Sequence, residues 1–513
     1  MAATFGLDFG TTNSVLAYIL PDPESGKKRA QVLLQEDGRS HPSVVRYSGV
    51  SPVVGQQAKD QLKELGLGVF GDIVRSPKMF LGSPTGIYVG GVTQQAVDVV
   101  ADILHFLRQD ALAPERGIVG NPFESAVITI PVTMRGTARA ELRQAAMKAG
   151  IRIHQFVHEP LAALYGHLRA QPNFRQELFN LDRRLALVFD WGGGTLDLTL
   201  CQLQDGVLTQ IFNAGDREIG GDWFDRRMSQ LVRDKHEALY PQADWTRIQP
   251  HAQARLIQAC EDAKIALSTR PKTALYIRDL IAVPGPEKDL RLEISKSEFE
   301  NCVRDLVIKG LKKIESVLET VGLHHGDIEF CLATGGMVSM PAIQEGLREI
   351  FGLHRLRLVG NASTVISEGA AWIAHDDIGL QLAKPIELLH ADDSYVEIIR
   401  RGTLLPFEGK AIQQRIDMYC VDPRDGLAKF LFARPKWPGR ESQSDERVPY
   451  THLTLPVDQH SRPLLERLQV EISIDHDLIA ELQALSLMRQ EKKLARIHDL
   501  EFGLSVGNVV EGT

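Results

Sequence analysis

One pattern recurs within the 513-residue chain and limits the fold more than anything else in it. Phe5-Gly6-Leu7-Asp8-Phe9-Gly10-Thr11-Thr12 and Leu187-Val188-Phe189-Asp190-Trp191-Gly192-Gly193-Gly194-Thr195 have the same order of parts. Each is an apolar run ending in Asp, then a Gly/Thr turn, then a second apolar run (Val15 to Tyr18; Leu196 to Cys201). Short apolar runs of this kind read as strands, and the turns between them as hairpin turns. Two unrelated hairpins would look alike locally, because Gly-Thr turns are common. The shared Asp favours a duplicated fold with two similar halves.

A Gly-rich turn lets backbone N–H groups approach an anion with no Cβ in the way. Gly10-Thr11-Thr12-Asn13 and Gly192-Gly193-Gly194-Thr195 each offer such a cradle, with hydroxyls beside it. Asp8 and Asp190 stand at the turn entrances, where a carboxylate holds the waters of a phosphate-bound Mg²⁺. The Gly-x-x-x-x-Gly-Lys-Ser/Thr phosphate loop is absent from the sequence. Either hairpin alone is a weak signal, but two facing ones make a phosphate clamp in a cleft between lobes. Thr4 to Leu7 and Ser14 to Tyr18 read as strands. Ser125 to Pro131 reads as a buried strand stopped by proline, and Thr137 to Ala149 as a helix closed by Gly150. The class is α/β.

The character changes near residue 375. Ile378-Gly379-Leu380-Gln381-Leu382-Ala383-Lys384-Pro385 is an apolar strip where a linker is usually polar, so it is expected to dock. Beyond it Leu468, Val470, Ile472 and Ile474 alternate with polar residues, as do Leu453, Leu455 and Val457. Residues 386–513 therefore read as a β unit with a covered inner face, and Arg434 to Pro449, with three prolines, as a surface loop. The length leaves room for two or three domains. The net charge of −8 gives no general basic footprint for nucleic acid. No apolar run approaches the roughly 18 residues of a membrane helix, and Asp8 interrupts any signal peptide. The cysteines at 201, 260, 302, 331 and 420 have no Cys-x-x-Cys pair and read as mostly buried thiols. The expectation is a soluble cytoplasmic protein with no nucleic-acid or membrane partner.

Three segments carry a family resemblance. Leu7 to Ser14, Phe189 to Asp197 and Ala333-Thr334-Gly335-Gly336-Met337-Val338-Ser339-Met340-Pro341 resemble the three signatures of the DnaK-type seventy-kilodalton heat-shock chaperones. Val54 to Lys59, Pro77 to Gly82, His158 to Ala163, Gly220 to Asp225 and Glu261 to Ser268 follow the family in the same order. The resemblance covers about the first 375 residues and continues more weakly beyond. It implies a two-lobed actin-like ATPase domain over 1–375, an apolar linker over 376–385 and a β-sandwich substrate-binding-type domain over 386–513. It implies ATP/ADP and Mg²⁺ as ligands and ATP hydrolysis to ADP and phosphate as the reaction.

By position, Gly10, Thr11, Thr12, Asn13 and Gly192, Gly193, Gly194 and Thr195 would hold the phosphates, and Asp8 and Asp190 the Mg²⁺ shell through water. Lys78 would contact the γ-phosphate and, with Glu159, orient the attacking water. The implied catalytic set is Lys78, Glu159, Asp190 and Thr195. Glu261, Lys264 and Ser268 share one helix face by their spacing of three and four. In the family that face holds the ribose and adenine opposite Gly335 and Gly336, with Ser339 beside the base. Alone, Lys78 would read as a surface lysine and Glu159 as a helix-cap acid.

The chain also departs from the family. Arginines over the base are replaced by Ile265 and Ser339, and the acid after Asn-Pro by Ser363. Each lost stacked guanidinium costs roughly 0.5–2 kcal/mol, so ATP is expected to bind more weakly than in a typical member. Gln155, His158 and Leu161 stand where the family's J-domain contact has Arg, Asn and Thr, and Leu380-Gln381-Leu382 lacks the linker acid. A J-domain co-chaperone is therefore left open. Pro131 and Arg139 match the family's interdomain relay. Glu481 to Arg496 is either strand or a short helix, too short for the family's helical lid, so a lidless member with fast peptide release is expected. The leading reading is an ATP-driven chaperone for polypeptide clients, in which ATP docks the linker and hydrolysis frees it. The alternatives are a nucleotide-gated scaffold with one dedicated partner and, less favoured, a small-molecule kinase.

Overall fold

The computed structural model describes residues 5–21, 27–116, 118, 123–216, 218–407, 411–437 and 440–507. Thr4 of the first expected strand, residues 438–439 of the proline-containing stretch, and residues 408–410 and 508–513 of the expected β unit lie outside the described residues.

The repeated motif builds two sheets with the same plan. In the first, Phe5–Phe9 is central. It pairs parallel with Ser125–Ile130 and antiparallel with Asn13–Pro21. Arg152–His158 flanks the parallel side, Lys28–Leu33 the other, and His41–Pro42 pairs beside the hairpin. In the second, Leu185–Trp191 is central, with Ile328–Thr334 parallel and Leu196–Gln204 antiparallel. Leu356–Leu358 and Val207–Asp216 take the flanking places. The central strands are buried on both faces, which suits their continuous apolar runs.

The helices pack where small residues allow it. Glu159–Arg169 crosses Val365–His375 so closely that a Cβ on Gly369 would stand 1.8 Å from the Ala162 carbonyl oxygen. The expected Thr137–Ala149 helix runs Gly136–Lys148, and Gly150 (φ 76°) ends it in the left-handed conformation that glycine tolerates.

The later region forms two four-stranded antiparallel sheets. One orders Tyr395–Ile399, Ile386–Leu389, Leu427–Pro435 and Arg447–Pro456. The other orders Ile412–Tyr419, Arg467–Ile474, Ala480–Ser486 and Lys492–Ile497. Leu453, Leu455, Leu468, Val470, Ile472 and Ile474 are buried in one shared core, as their alternation predicts. One open alternative is settled and two expectations change. Glu481 to Arg496 is a hairpin, not a helix, because its Leu482 and Ala484 fill that core. The proline-rich stretch is strand at both ends, and Arg447 is buried against Glu387 at 2.5 Å. Phe502–Ser505 leaves both β sheets and joins the second motif-bearing sheet, between Val207–Asp216 and the linker strand Leu380–Leu382. The apolar linker docks, as expected, but on that strand.

Candidate functional site

The two turns face each other. A Cβ on Gly193 would meet the Thr12 hydroxyl at 3.1 Å, and one on Gly194 the Thr12 methyl at 3.6 Å. Behind the second turn the chain at Gly220 comes so close that a Cβ would lie 2.2 Å from the Gly194 carbonyl carbon. There the backbone N–H groups of Gly221 and Asp222 donate to the carbonyls of Gly192 and Gly193. Gly335 (φ 87°) lies against the Trp191 carbonyl and an Asp190 oxygen, so the third signature adjoins the second. Nothing crowds Gly336.

The two aspartates have matching surroundings. Asp8 lies in register with Thr129 on its parallel neighbour, and the Thr129 hydroxyl donates to it at 2.7 Å. Asp190 lies in register with Thr334 on one side and Asp197 on the other. Burial raises Asp8 to about 6, with Glu159 adding to the rise and Lys78 opposing it. Burial raises Asp190 to about 8, helped by Asp197, Glu159 and Asp8. Such mutually repelling carboxylates are relieved by a cation. Among the described residues no three His, Cys, Asp or Glu side chains gather as direct metal ligands. Two carboxylates suit a Mg²⁺ that keeps most of its water, so the donor set fits the expected ion.

Lys78 enters from the Pro77–Phe80 turn and is 6% exposed. Its ammonium donates to the Phe9 carbonyl at 2.5 Å and to Glu159 at 2.7 Å. Glu159 opens its helix directly after the Arg152–His158 strand. The Thr195 hydroxyl donates to Asp197 at 2.8 Å.

Glu261 and Lys264 share a helix face as expected, but both are already paired. Glu261 holds Lys59 at 2.7 Å, and Lys264 holds Asp225 at 2.7 Å. A Cβ on Gly221 would lie 3.0 Å from the Met337 sulfur and 3.3 Å from the Lys264 ammonium, so this face adjoins the third signature. The Ser268 hydroxyl donates to the Lys264 carbonyl at 3.4 Å. Ile265 and Ser339 are exposed and place no cation there. Among the described residues, three ion pairs join the first motif-bearing half to the second: Arg39–Asp262, Lys59–Glu261 and Arg75–Asp222, at 2.7–2.8 Å. Sequence reading missed these, and it also missed Thr129 and Asp197 as neighbours of the aspartates. For Asp197 a signal existed: the hairpin register places it directly across from Asp190.

The strand that leads to Glu159 also touches the later region. The Gln155 amide donates to the Ile378 carbonyl at 2.7 Å, the His154 ring lies 5.2 Å from Phe407, and His158 stacks on Phe502 at 4.1 Å. Burial, with Arg139 nearby, depresses His158 to about 3, against a smaller upward pull from Gln210. The folded protein therefore refuses a proton that the unfolded chain accepts. Stability supported by neutral His158 is present above about pH 6.5 and is lost as pH falls towards about 3. A His158→Phe variant is expected to lose less thermal stability than the wild type between about pH 7 and about pH 4, as read by calorimetric melts.

A second feature lies in the later region. Leu388, Met418, Tyr419, Val421, Leu464 and Leu468 line part of a cleft of about 890 Å³. Tyr419, Val421, Leu427 and Leu464 are exposed there, so the cleft carries a concentration of apolar surface.

Comparison with known proteins agrees with this geometry. A model of the Hsp70 protein family matches residues 84–396. The chaperone protein DnaK of Thermosipho melanesiensis is 30% identical over 375 residues, covering 71% of this chain and 58% of the relative. DnaK of Deinococcus radiodurans is 31% identical over 401 residues, covering 72% and 59%. DnaK of Thermotoga neapolitana is 30% identical over 392 residues, covering 75% and 61%. The chain thus spans about three-fifths of the length of these curated relatives. No described helix is long and apolar enough to cross a membrane. The family match covers more than half of the chain and includes the third signature: the chain belongs to the Hsp70 family.

Proposed function

We propose that this chain is an ATP-hydrolysing chaperone, with a two-lobed ATPase domain over 1–375, a linker over 376–385 and a β-sandwich client domain over 386–513. Members of the family are ATPases, and DnaK-type members bind polypeptide clients. The observation that carries the reading is the double role of Arg152–His158. One end presents Glu159 to Lys78, while Gln155 and His158 rest on the linker and on Phe502. A shift at the phosphate clamp is thereby transmitted to the region that holds the apolar groove.

In this reading Gly10 to Asn13 and Gly192 to Thr195 hold the phosphates through backbone N–H groups and hydroxyls. Asp8 and Asp190 hold the water shell of Mg²⁺, which supplies charge neutralisation when bound. Lys78 places a fixed cation at the transferred phosphate. Glu159 holds Lys78 in place and accepts a hydrogen bond from the attacking water. Phosphoryl transfer needs this kind of positioning and neutralisation more than covalent help from the protein. The groove then takes an extended polypeptide by strand-like contacts. Phosphate release with ATP alone tests the reading, and a requirement for an added acceptor would point to a kinase instead.

The adenine end carries its own prediction. With Ile265 and Ser339 where arginines would stack, ATP is expected to bind more weakly than micromolar. Ser339→Arg is expected to tighten binding by about tenfold, worth about 1.4 kcal/mol. Calorimetric titration checks this, and sub-micromolar affinity in the wild type would contradict it.

A further inference from the structure

The linker strand Leu380–Leu382 lies between two neighbours. On one side it pairs antiparallel with Phe502–Ser505, Leu380 opposite Leu504 and Leu382 opposite Phe502. The Ala383 N–H donates to the Glu501 carbonyl and the Ser505 N–H to the Gly379 carbonyl, both at 2.9 Å. On the other side the Leu382 N–H donates to Thr403, the Gly402 N–H to Leu382 and the Leu405 N–H to Leu380, at 2.8–2.9 Å. Both edges of the linker are used, so it has no free edge from which to be peeled.

Phe502–Ser505 in turn holds the edge of the ATPase-side sheet. Val207, Leu208 and Thr209 face Ser505, Leu504 and Gly503, and the Val506 N–H donates to the Gly206 carbonyl at 2.8 Å. Phe502 and Leu504 are fully buried. The strands lie so close that a Cβ on Gly503 would stand 2.5 Å from the Thr209 methyl and 2.6 Å from the Leu208 carbonyl oxygen. Flanking contacts fasten the same strand: Glu501 pairs with Lys384 and with Arg434, both at 2.7 Å, and Gln381 donates to the Ser505 hydroxyl at 2.6 Å.

We propose that Phe502–Ser505, rather than the linker, is the strand that docks the later region, and that it stays docked whichever nucleotide is bound. The linker is an inner strand of that assembly, not a releasable tether. The nucleotide signal then crosses a standing interface as a shift along Arg152–His158, with no undocking step. This inference rests on the ATPase reading but replaces the release of the linker that the family resemblance implies.

Amide hydrogen exchange on the full chain, without nucleotide, with ADP and with ATP, tests it. The Leu382, Ala383, Ser505 and Val506 amides are expected to exchange at rates equal within about threefold in all three states. Exchange about tenfold or more faster with ADP than with ATP, either at Val506, whose acceptor Gly206 lies on the ATPase-side sheet, or at Leu382 and Ala383, would overturn the proposal. Gly503→Val, which drives a side chain into Thr209, is expected to speed exchange at Leu382 and Val506 together by about tenfold or more. Unchanged exchange at both in that variant would also count against it. If the variant does not fold, the wild-type comparison still decides. Phosphate release measured on the same sample separates the two ideas, since a sample that releases none refutes the ATPase reading and leaves the docking result to stand alone.

Discussion

Lys78→Ala is expected to lower the single-turnover rate of ATP hydrolysis by about 10²–10³-fold, the scale of losing one preorganised charge at a developing transition state. The expectation follows from how tightly the ammonium is held. It is 6% exposed and lies between the Phe9 carbonyl and Glu159. Such a cation needs no reorganisation when charge moves onto the phosphate. Nucleotide affinity should change by less than about tenfold, because in the proposed site the phosphates are mainly held by backbone groups of the two turns. Lys78→Arg should not rescue the rate, since a planar fork cannot reproduce a point charge between two fixed acceptors. Glu159→Ala should cause a loss of similar size, and the double variant little more, because the two act as a unit. Rapid-quench measurement of phosphate formation checks the series. A Lys78→Ala rate within about threefold of wild type would exclude its catalytic role.

Arg139→Ala is expected to abolish most of the effect of ATP on client binding while leaving hydrolysis nearly intact. The Arg139 guanidinium is 2% exposed. It donates to Met134 at 2.6 Å on its own side, and to the Asp477, Leu478 and His498 carbonyls at 2.8–3.0 Å across the interface. Truncation strands the buried Leu478 carbonyl and the partly buried ones beside it, and a buried acceptor left unsatisfied costs about 1–3 kcal/mol. That matches the whole coupling energy usual between two sites, about 1–3 kcal/mol. Burial also depresses the Arg139 guanidinium to about 10, against the upward pull of Asp477, Asp475 and Asp499, so it remains charged near neutral pH. Arg139→Lys should fail as well, since one ammonium cannot span four carbonyls. Peptide-release kinetics with and without ATP check the first half, and steady-state phosphate release the second. A variant that keeps ATP-stimulated release would show that Arg139 is only a packing residue.

The parts of this molecule that are local in sequence were legible from it. The hairpins at Asp8 and Asp190 were, because strand alternation, an acid and a glycine turn all lie within a dozen residues. The facing of the two turns followed from their likeness, and contact of Thr12 with Gly193 agrees with it. The linker's docking was legible from its apolar character, but its partner was not. Leu380 meets Leu504 across more than a hundred residues, and an apolar strand can pair with many edges. Glu481 to Arg496 has residues of good helix propensity, and cross-strand pairing with Arg467–Ile474 overrides it. The groove was invisible because separate turns and strand ends build it. The pairs Lys59–Glu261 and Arg75–Asp222 were equally hidden, since each joins exposed-looking residues from different halves. Ser268 closes its helix with its hydroxyl on the Lys264 carbonyl, while Glu261 and Lys264 are tied to other side chains in ways that spacing alone does not show.

The central claim is that a nucleotide in the cleft controls a polypeptide in the groove. It is tested most directly by loading the full chain with a fluorescent, permanently unfolded polypeptide and adding ATP with Mg²⁺. The account predicts release about tenfold faster than with ADP, a difference of about 1.4 kcal/mol in coupling, and no such acceleration in Arg139→Ala. Equal release rates with ATP and ADP in the wild type would contradict it.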